Sequence, residues 1–275
     1  MSFRTYSEVT GPDRSGLGEQ VAQQRARVAE RLASVSAIVA VLSGKGGVGK
    51  SYVSAGLARA CRAAGRSVGV VDADLRSPTV ARLLRAEGPL VADEQGIEPA
   101  RGTDDIRVMS SDFLLEDGRP LGWRGTTAER FVWTGAIEIG ALREFLSDVK
   151  WGVLDLLLID LPPGADAVAD LHPLIPNLTG VVAVTIPTEE SRRSVARALA
   201  AARDDGLPIL GIVENMVGSV CPSCREAHPL FEGDAADSLS DEFDVPVWGR
   251  VPFGAGREPF VEMAERLAEC TVRRP

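Results

Sequence analysis

The sequence predicts an α/β protein built on one doubly wound, mostly parallel sheet. Short apolar runs alternate with stretches of helical periodicity. Several of those runs are apolar without a break, the pattern of parallel strands buried on both faces. The first of them runs straight into a glycine-rich segment that opens a helix. Strands joined through helices form right-handed crossovers, and ligands of such sheets collect at the strands' carboxyl ends.

In chain order, residues 1–18 mix Gly, Pro, Ser and charge without periodicity and read as a flexible leader. Residues 19–275 read as one domain without internal repeats. Residues 19–34 are expected to be helical, because Val21, Val28 and Leu32 share a face with alanines at three- and four-residue steps beside them. The expected strands are Ala37–Leu42, Ser67–Val71, Leu156–Ile159, Val181–Ile186, Ile209–Val213 and Val247–Val251. Helices are expected at Tyr52–Ala64, stopped by Gly65, at Ile137–Val149, and at Glu190–Ala202, closed by Asp204, Asp205 and Gly206.

Composition excludes several classes. The net charge of −9 argues against a broad, sequence-independent hold on nucleic acid, which needs clustered Lys and Arg. No apolar run approaches the ~20 residues of a membrane span, and the first 18 residues lack the apolar core of a signal peptide. Four cysteines, unevenly spaced, do not make a disulfide framework. A reduced, cytoplasmic setting is the simplest reading, with neither nucleic acid nor membrane as partner.

Gly44, Gly49, Lys50 and Ser51 satisfy the phosphate-loop (Walker A) pattern G-x-x-x-x-G-K-[ST]. Gly44, Lys45, Gly46, Gly47, Val48, Gly49, Lys50 and Ser51 would cradle the phosphates of ATP with successive N–H groups, helped by the helix dipole. Lys50 would neutralise the β- and γ-phosphates, and Ser51 would offer its hydroxyl to Mg²⁺. Lys45 is a second lysine that a plain phosphate loop does not need. Two strands end in acids: Ser67–Val71 in Asp72-Ala73-Asp74, and Leu156–Ile159 in Asp160-Leu161-Pro162-Pro163-Gly164. Asp72 and Asp160 there can hold Mg²⁺ directly or through water, and a further carboxylate can orient the attacking water. The N–H of Gly164, after two prolines, could meet the γ-phosphate. Alone, each Asp would equally suit a helix cap or a turn. Asn215, just past a strand end, could pair with an adenine edge or serve as a turn former.

Cys221-Pro-Ser-Cys224 is a C-x-x-C turn in a polar segment. Two thiolates grip only half of a metal's coordination sphere, and a symmetric second copy would complete it. Zinc on the same four sulfurs, or on Cys221, Cys224 and His228, satisfies the same chemistry. A redox disulfide is less attractive without a thioredoxin-like setting. Cys61 reads as core packing, Cys270 as incidental and His172 as structural.

The segment S-G-K-G-G-V-G-K-S resembles the deviant phosphate loop of the SIMIBI P-loop NTPases, the group of MinD and ParA. Within it the chain is most similar to the Mrp/ApbC-type iron–sulfur cluster carriers. The matching pieces are DAD at 72–74, FLL at 113–115, GALREFL at 140–146, WGVLDLLLIDLPPG at 151–164, and VENM followed by CPSC. The resemblance spans about residues 37–253. It implies a MinD-like fold and a homodimeric ATPase that binds a bridging 4Fe–4S cluster on Cys221 and Cys224, taken from a donor and delivered to client apoproteins. It implies that Lys45 reaches the partner's nucleotide, that Asp74 helps activate water, and that Asn215 contacts the base. Lys45, Lys50 and Asp74 are thus the expected catalytic residues.

The pattern departs in places. Ser77 and Thr79 stand where the family has glycine and serine, and Ala165-Asp166-Ala167 follows Gly164 where the family has T-G-D. Gly118–Arg130 reads as an insertion, leaving Trp123-Arg124-Gly125 and Trp133-Thr134-Gly135 as partial matches to W-R-G. A MinD/ParA-type positioning ATPase, with C-x-x-C as a zinc or dimer clip, is the alternative. It predicts a basic DNA-binding face or an amphipathic membrane tail, whereas Phe260–Pro275 reads as mixed in charge with no wide apolar face.

Overall fold

The computed structural model describes residues 17–114, 139–169, 171–221, 223, 224 and 226–272. The chain opens with α1 (Leu17–Arg31), which takes in the last two residues of the expected leader; the rest of that leader lies outside the described residues. Next come β1 (Ile38–Ser43), α2 (Lys50–Ala63), β2 (Val68–Asp72) and the single-turn α3 (Val80–Leu83). A small hairpin, β3 (Val91–Asp93) and β4 (Gly96–Glu98), precedes β5 (Ala100–Arg101) and β6 (Arg107–Ser110). Helical residues 139–148 (α4) lead to β7 (Leu156–Asp160), α5 (Asp166–Ala169) and α6 (Leu171–Leu174). The remainder is β8 (Gly180–Thr185), α7 (Glu189–Asp204), β9 (Ile209–Val220), β10 (Ala227–His228), α8 (Ala235–Phe243), β11 (Val247–Phe253) and α9 (Pro259–Val272).

Nine strands form one sheet in the order β10-β9-β8-β1-β7-β2-β6-β5, with β11 pairing β9, while β3 and β4 pair only with each other. Pairings among β6, β2, β7, β1, β8, β9 and β11 are parallel; β5 and β10 join antiparallel. Every residue of β1, β2, β7 and β8 is buried, as their unbroken apolar runs demand. Helices cover both faces. One core layer packs Val28 of α1, Leu146 of α4, Leu199 of α7 and Leu239 of α8 on the sheet. The other packs Leu57 of α2, Val80 of α3 and Leu267 of α9. This is the expected doubly wound sheet.

Register sets the site. Val41 and Asp72 both pair with Asp160, so the carboxyl ends of β2 and β7 finish level and β1 runs two residues beyond them, to Ser43. The six expected strands stand where the sequence put them, but β9 runs on to Val220 because β11 and β10 both pair with it. The tail after Phe260 is a correction: Phe260, Met263, Ala264 and Leu267 make a buried stripe at steps of three and four. The expected insertion Gly118–Arg130, and Trp123 and Trp133, lie outside the described residues. Among the described residues no helix is long and apolar enough to cross a membrane.

Candidate functional site

β1 ends at Ser43, and the six residues before Lys50 turn the chain into α2. Gly49 caps that helix in the left-handed region, at φ 80°, with no side-chain cap. The helix's first N–H groups are therefore left for an anion. Two glycines are required by close approach as well. A Cβ on Gly49 would fall 2.2 Å from Asn215 Nδ2, and one on Gly44 would fall 2.1 Å from the Ser194 carbonyl carbon of α7. Above the loop lies a cavity of about 1240 Å³. Its walls are the loop from Lys45 to Ser51, Asp74 and Thr79 after β2, and Pro162, Pro163 and Asp166 after β7.

Asp160 is fully buried under this loop. Its Oδ2 accepts from Lys50 Nζ and from Ser51 Oγ, each at 2.6 Å, and its Oδ1 accepts from Ser54 Oγ at 2.6 Å. Lys50 is thus held on a carboxylate that a phosphate must outbid. The Ser51 hydroxyl and Asp160 carboxylate give adjacent hard oxygens beside the phosphate cradle, a donor set suited to Mg²⁺, which takes one or two protein oxygens and fills the rest with water and phosphate. Ser54 was not anticipated; its place one turn beyond Ser51, on the same helix face, is the signal that could have found it.

Asp72 is also fully buried. Its Oδ2 accepts from the N–H groups of Thr79 and Val80 at 2.9 and 3.0 Å and from Ser110 Oγ at 3.1 Å, and its Oδ1 accepts from Asp74 N–H at 3.3 Å. Burial, then the neighbouring Asp160 carboxylate, push its pKa up to about 7 against the pull of the Val80 N–H and Lys50. Asp72 therefore latches residues 73–80 to the sheet through these bonds. Asp74 stands at the cavity wall, its Oδ1 accepting from the N–H groups of Arg76 and Ser77 at 3.2 and 3.1 Å. Lys45 lines the cavity with no ion-pair partner among the described residues.

Two expectations change. The N–H of Gly164 donates to the Ser43 carbonyl at 2.8 Å, tying the Pro-Pro turn to β1, so it is not offered to a γ-phosphate. Asn215 is buried, with Nδ2 donating to the Val48 carbonyl at 2.9 Å. That bond helps to hold the phosphate loop, and it leaves the side-chain oxygen and the second N–H of Asn215 for a base.

The cysteines form a second centre, reached along β9. Cys221 follows the end of β9, and its N–H donates to the Glu226 carbonyl at 2.9 Å to close a hairpin with β10. The N–H groups of Cys224 and Ser223 turn toward the Cys221 sulfur and hold its thiol below the usual range. Cys224 Sγ lies 3.8 Å from Glu226 Oε2. Glu226 was not anticipated, although C-x-E-x-H is legible as an alternation. Cys61 is buried, and burial pushes its thiol up to about 11, in keeping with a packing role.

A phosphate loop at the carboxyl edge of a doubly wound parallel sheet, with a buried acid on its lysine and serine, defines a P-loop NTPase. The match of residues 34–270 to the ParA profile, described as NUBPL iron-transfer P-loop NTPase, makes the relation specific: the chain belongs to this family. It is 41% identical over 239 residues to an iron-sulfur cluster carrier protein of Saccharolobus solfataricus, covering 86% of this chain and 77% of that one. It is 40% identical to the human cytosolic Fe-S cluster assembly factor NUBP2, covering 80% of each. A nucleotide-binding protein of Archaeoglobus fulgidus, solved with ADP and with cobalt found in it, superposes with a TM-score of 0.67 at 32% identity, covering 91% of this chain and 94% of that one.

Proposed function

We propose that this chain is a cytoplasmic, homodimeric ATPase that carries a 4Fe–4S cluster as cargo from a donor to client apoproteins. The observation that carries the reading is β9, one strand that bears Asn215 against the phosphate loop and runs directly into Cys221. A nucleotide site and a thiolate pair on one strand is what a nucleotide-controlled carrier needs.

When ATP enters, Lys50 leaves Asp160 for the β- and γ-phosphates, and the freed carboxylate oxygen joins Ser51 Oγ as the Mg²⁺-holding pair. Bound there, Mg²⁺ neutralises and orients the phosphate oxygens. Asp74, braced by the N–H groups of Arg76 and Ser77, accepts a hydrogen bond from the attacking water. Lys45 reaches the nucleotide of the second copy. The Asn215 oxygen accepts from the exocyclic amine of adenine, and its second N–H is free to donate to a ring nitrogen of the same edge. Two copies bring two C-x-x-C turns together, giving the four sulfurs a cluster requires.

The test is anaerobic reconstitution with iron and sulfide, comparing wild type with Cys221→Ala/Cys224→Ala. About four irons and four sulfides per dimer, absent from the double variant, are expected for such a cluster. A colourless protein would leave a nucleotide switch without cargo and sink the carrier reading.

A further inference from the structure

The cysteine hairpin holds more ligands than a bridging cluster uses. Glu226 and His228 succeed Cys224 at steps of two in the sequence, His228 within the short strand β10. One donor atom each from Cys224, Glu226 and His228 lie within 4.8 Å of one another, and all three residues are exposed. The sulfur of Cys221 is within hydrogen-bond reach of the Cys224 side chain. Backbone pairing fixes the frame: Ala227 and His228 lie opposite Val220 and Ser219, and Cys221 N–H closes on the Glu226 carbonyl at 2.9 Å. Metal–ligand bonds of about 2.0 to 2.3 Å set the ligands of a tetrahedral ion roughly 3.5 Å apart. Side-chain shifts on the order of 1 Å would therefore close Cys224, Glu226 and His228 on one ion, and Cys221, outside that group but beside Cys224, would swing in as a further ligand.

We propose that each chain by itself holds one divalent transition ion on Cys221, Cys224 and His228, with Glu226 as the exchangeable fourth ligand. Two thiolates and an imidazole select a borderline ion such as Zn²⁺ or Fe²⁺ and reject Mg²⁺ and Ca²⁺. Exposure makes the site exchangeable with solution rather than a permanent structural lock. The regulatory role of the ion rests on the carrier reading: the ion and the shared cluster need the same thiolates, so one excludes the other. A chain carrying its own ion is closed to cargo until the ion leaves.

The experiment is anaerobic titration of the full chain with Co²⁺, read by thiolate charge-transfer and tetrahedral d–d absorption. Wild type, His228→Ala and Cys221→Ala/Cys224→Ala are compared, and wild-type affinity for MgADP certifies that each variant is folded. One cobalt per chain is expected, with affinity at least about tenfold weaker in His228→Ala, since even the loss of an outer hydrogen-bond partner costs that much. No bands are expected from the double variant. One cobalt per two chains, or an affinity indifferent to His228→Ala, overturns the site. Iron and sulfide reconstitution then separates the two readings. Its failure with the cobalt result intact sinks the carrier and leaves the ion site standing. If reconstitution succeeds, preloaded zinc is expected to block it in wild type and much less in His228→Ala; no block in wild type overturns the exclusion.

Discussion

Single residues here are tuned by what surrounds their reactive atoms, and cysteine shows it most directly. Thiolates are the nucleophiles, so alkylation tracks thiol pKa and access. Cys221 is half-exposed with its thiol drawn down by the N–H groups of Cys224 and Ser223, whereas Cys61 is buried with its thiol near 11. Iodoacetamide labelling followed by peptide mass spectrometry is expected to modify Cys221 at a lower pH than an ordinary exposed thiol and to leave Cys61 untouched at pH 9 in the folded protein. Equal labelling of the two would contradict this packing. Asp72 gives a pH signature of the opposite sign to most carboxylates. Its folded pKa, about 7, lies above its ordinary value of 3.8, so the folded state binds the proton more tightly. The stability this group contributes is complete below about pH 4 and is lost as pH rises through about 7. In the nucleotide-free protein, urea unfolding between pH 5 and 8 is expected to show a downward slope that flattens in Asp72→Asn. Lys50 and Asp160 were legible as motif residues. Their direct pairing was not, because a pattern names a ligand and not what replaces it before the ligand arrives.

Elements were legible where one physical signal dominated. Buried parallel strands announce themselves as apolar runs, so β1, β2, β7 and β8 were found to within a residue or two. β6 was not anticipated, since Arg107–Ser110 is four residues with a polar one at each end. α9 was misjudged for a different reason: its acidic residues hid a narrow stripe that is nonetheless wide enough to pack on α2 and β11. The contact between α2 and α9 depends on Gly56, where an added Cβ would fall 2.4 to 2.6 Å from three atoms of the Phe260 ring. That ring is buried and also meets Tyr52 edge-on, so it has little room to retreat. Alanine in mid-helix ordinarily gains about 1 kcal/mol over glycine, but overpacking costs about 1 to 3 kcal/mol. Gly56→Ala is therefore expected to lower stability by up to about 2 kcal/mol on balance. In Gly56→Ala/Phe260→Leu the clash is gone, and the two changes are expected to be strongly non-additive by denaturant melts. Additive effects would mean that the ring moves aside freely.

At the scale of the molecule, the sheet serves as the connection between two chemistries. The phosphate loop and the cysteine hairpin share no side chain; what joins them is β9. Asn215 pins the Val48 carbonyl from that strand, and six residues later, about 20 Å at ~3.3 Å per residue, the chain reaches Cys221. The strand is not a plain rod between them. Met216 sits at φ 57°, and the β11 register jumps from Val251–Asn215 to Phe253–Ser219, so a bulge separates the nucleotide end from the thiol end. A bulge re-aims the chain beyond it, so a small change in how Val48 holds Asn215 is expected to alter how the hairpin is presented. Labelling of Cys221 is accordingly expected to proceed at different rates with saturating MgADP and with a non-hydrolysable MgATP analogue. Asn215→Ala removes the pin. Even at saturating nucleotide it is expected to make the two rates equal, while Phe253→Ala, exposed at the end of β11, leaves the difference in place. Should Asn215→Ala keep the full difference at saturation, the signal travels by another route, and the residues latched by Asp72 become the next place to look.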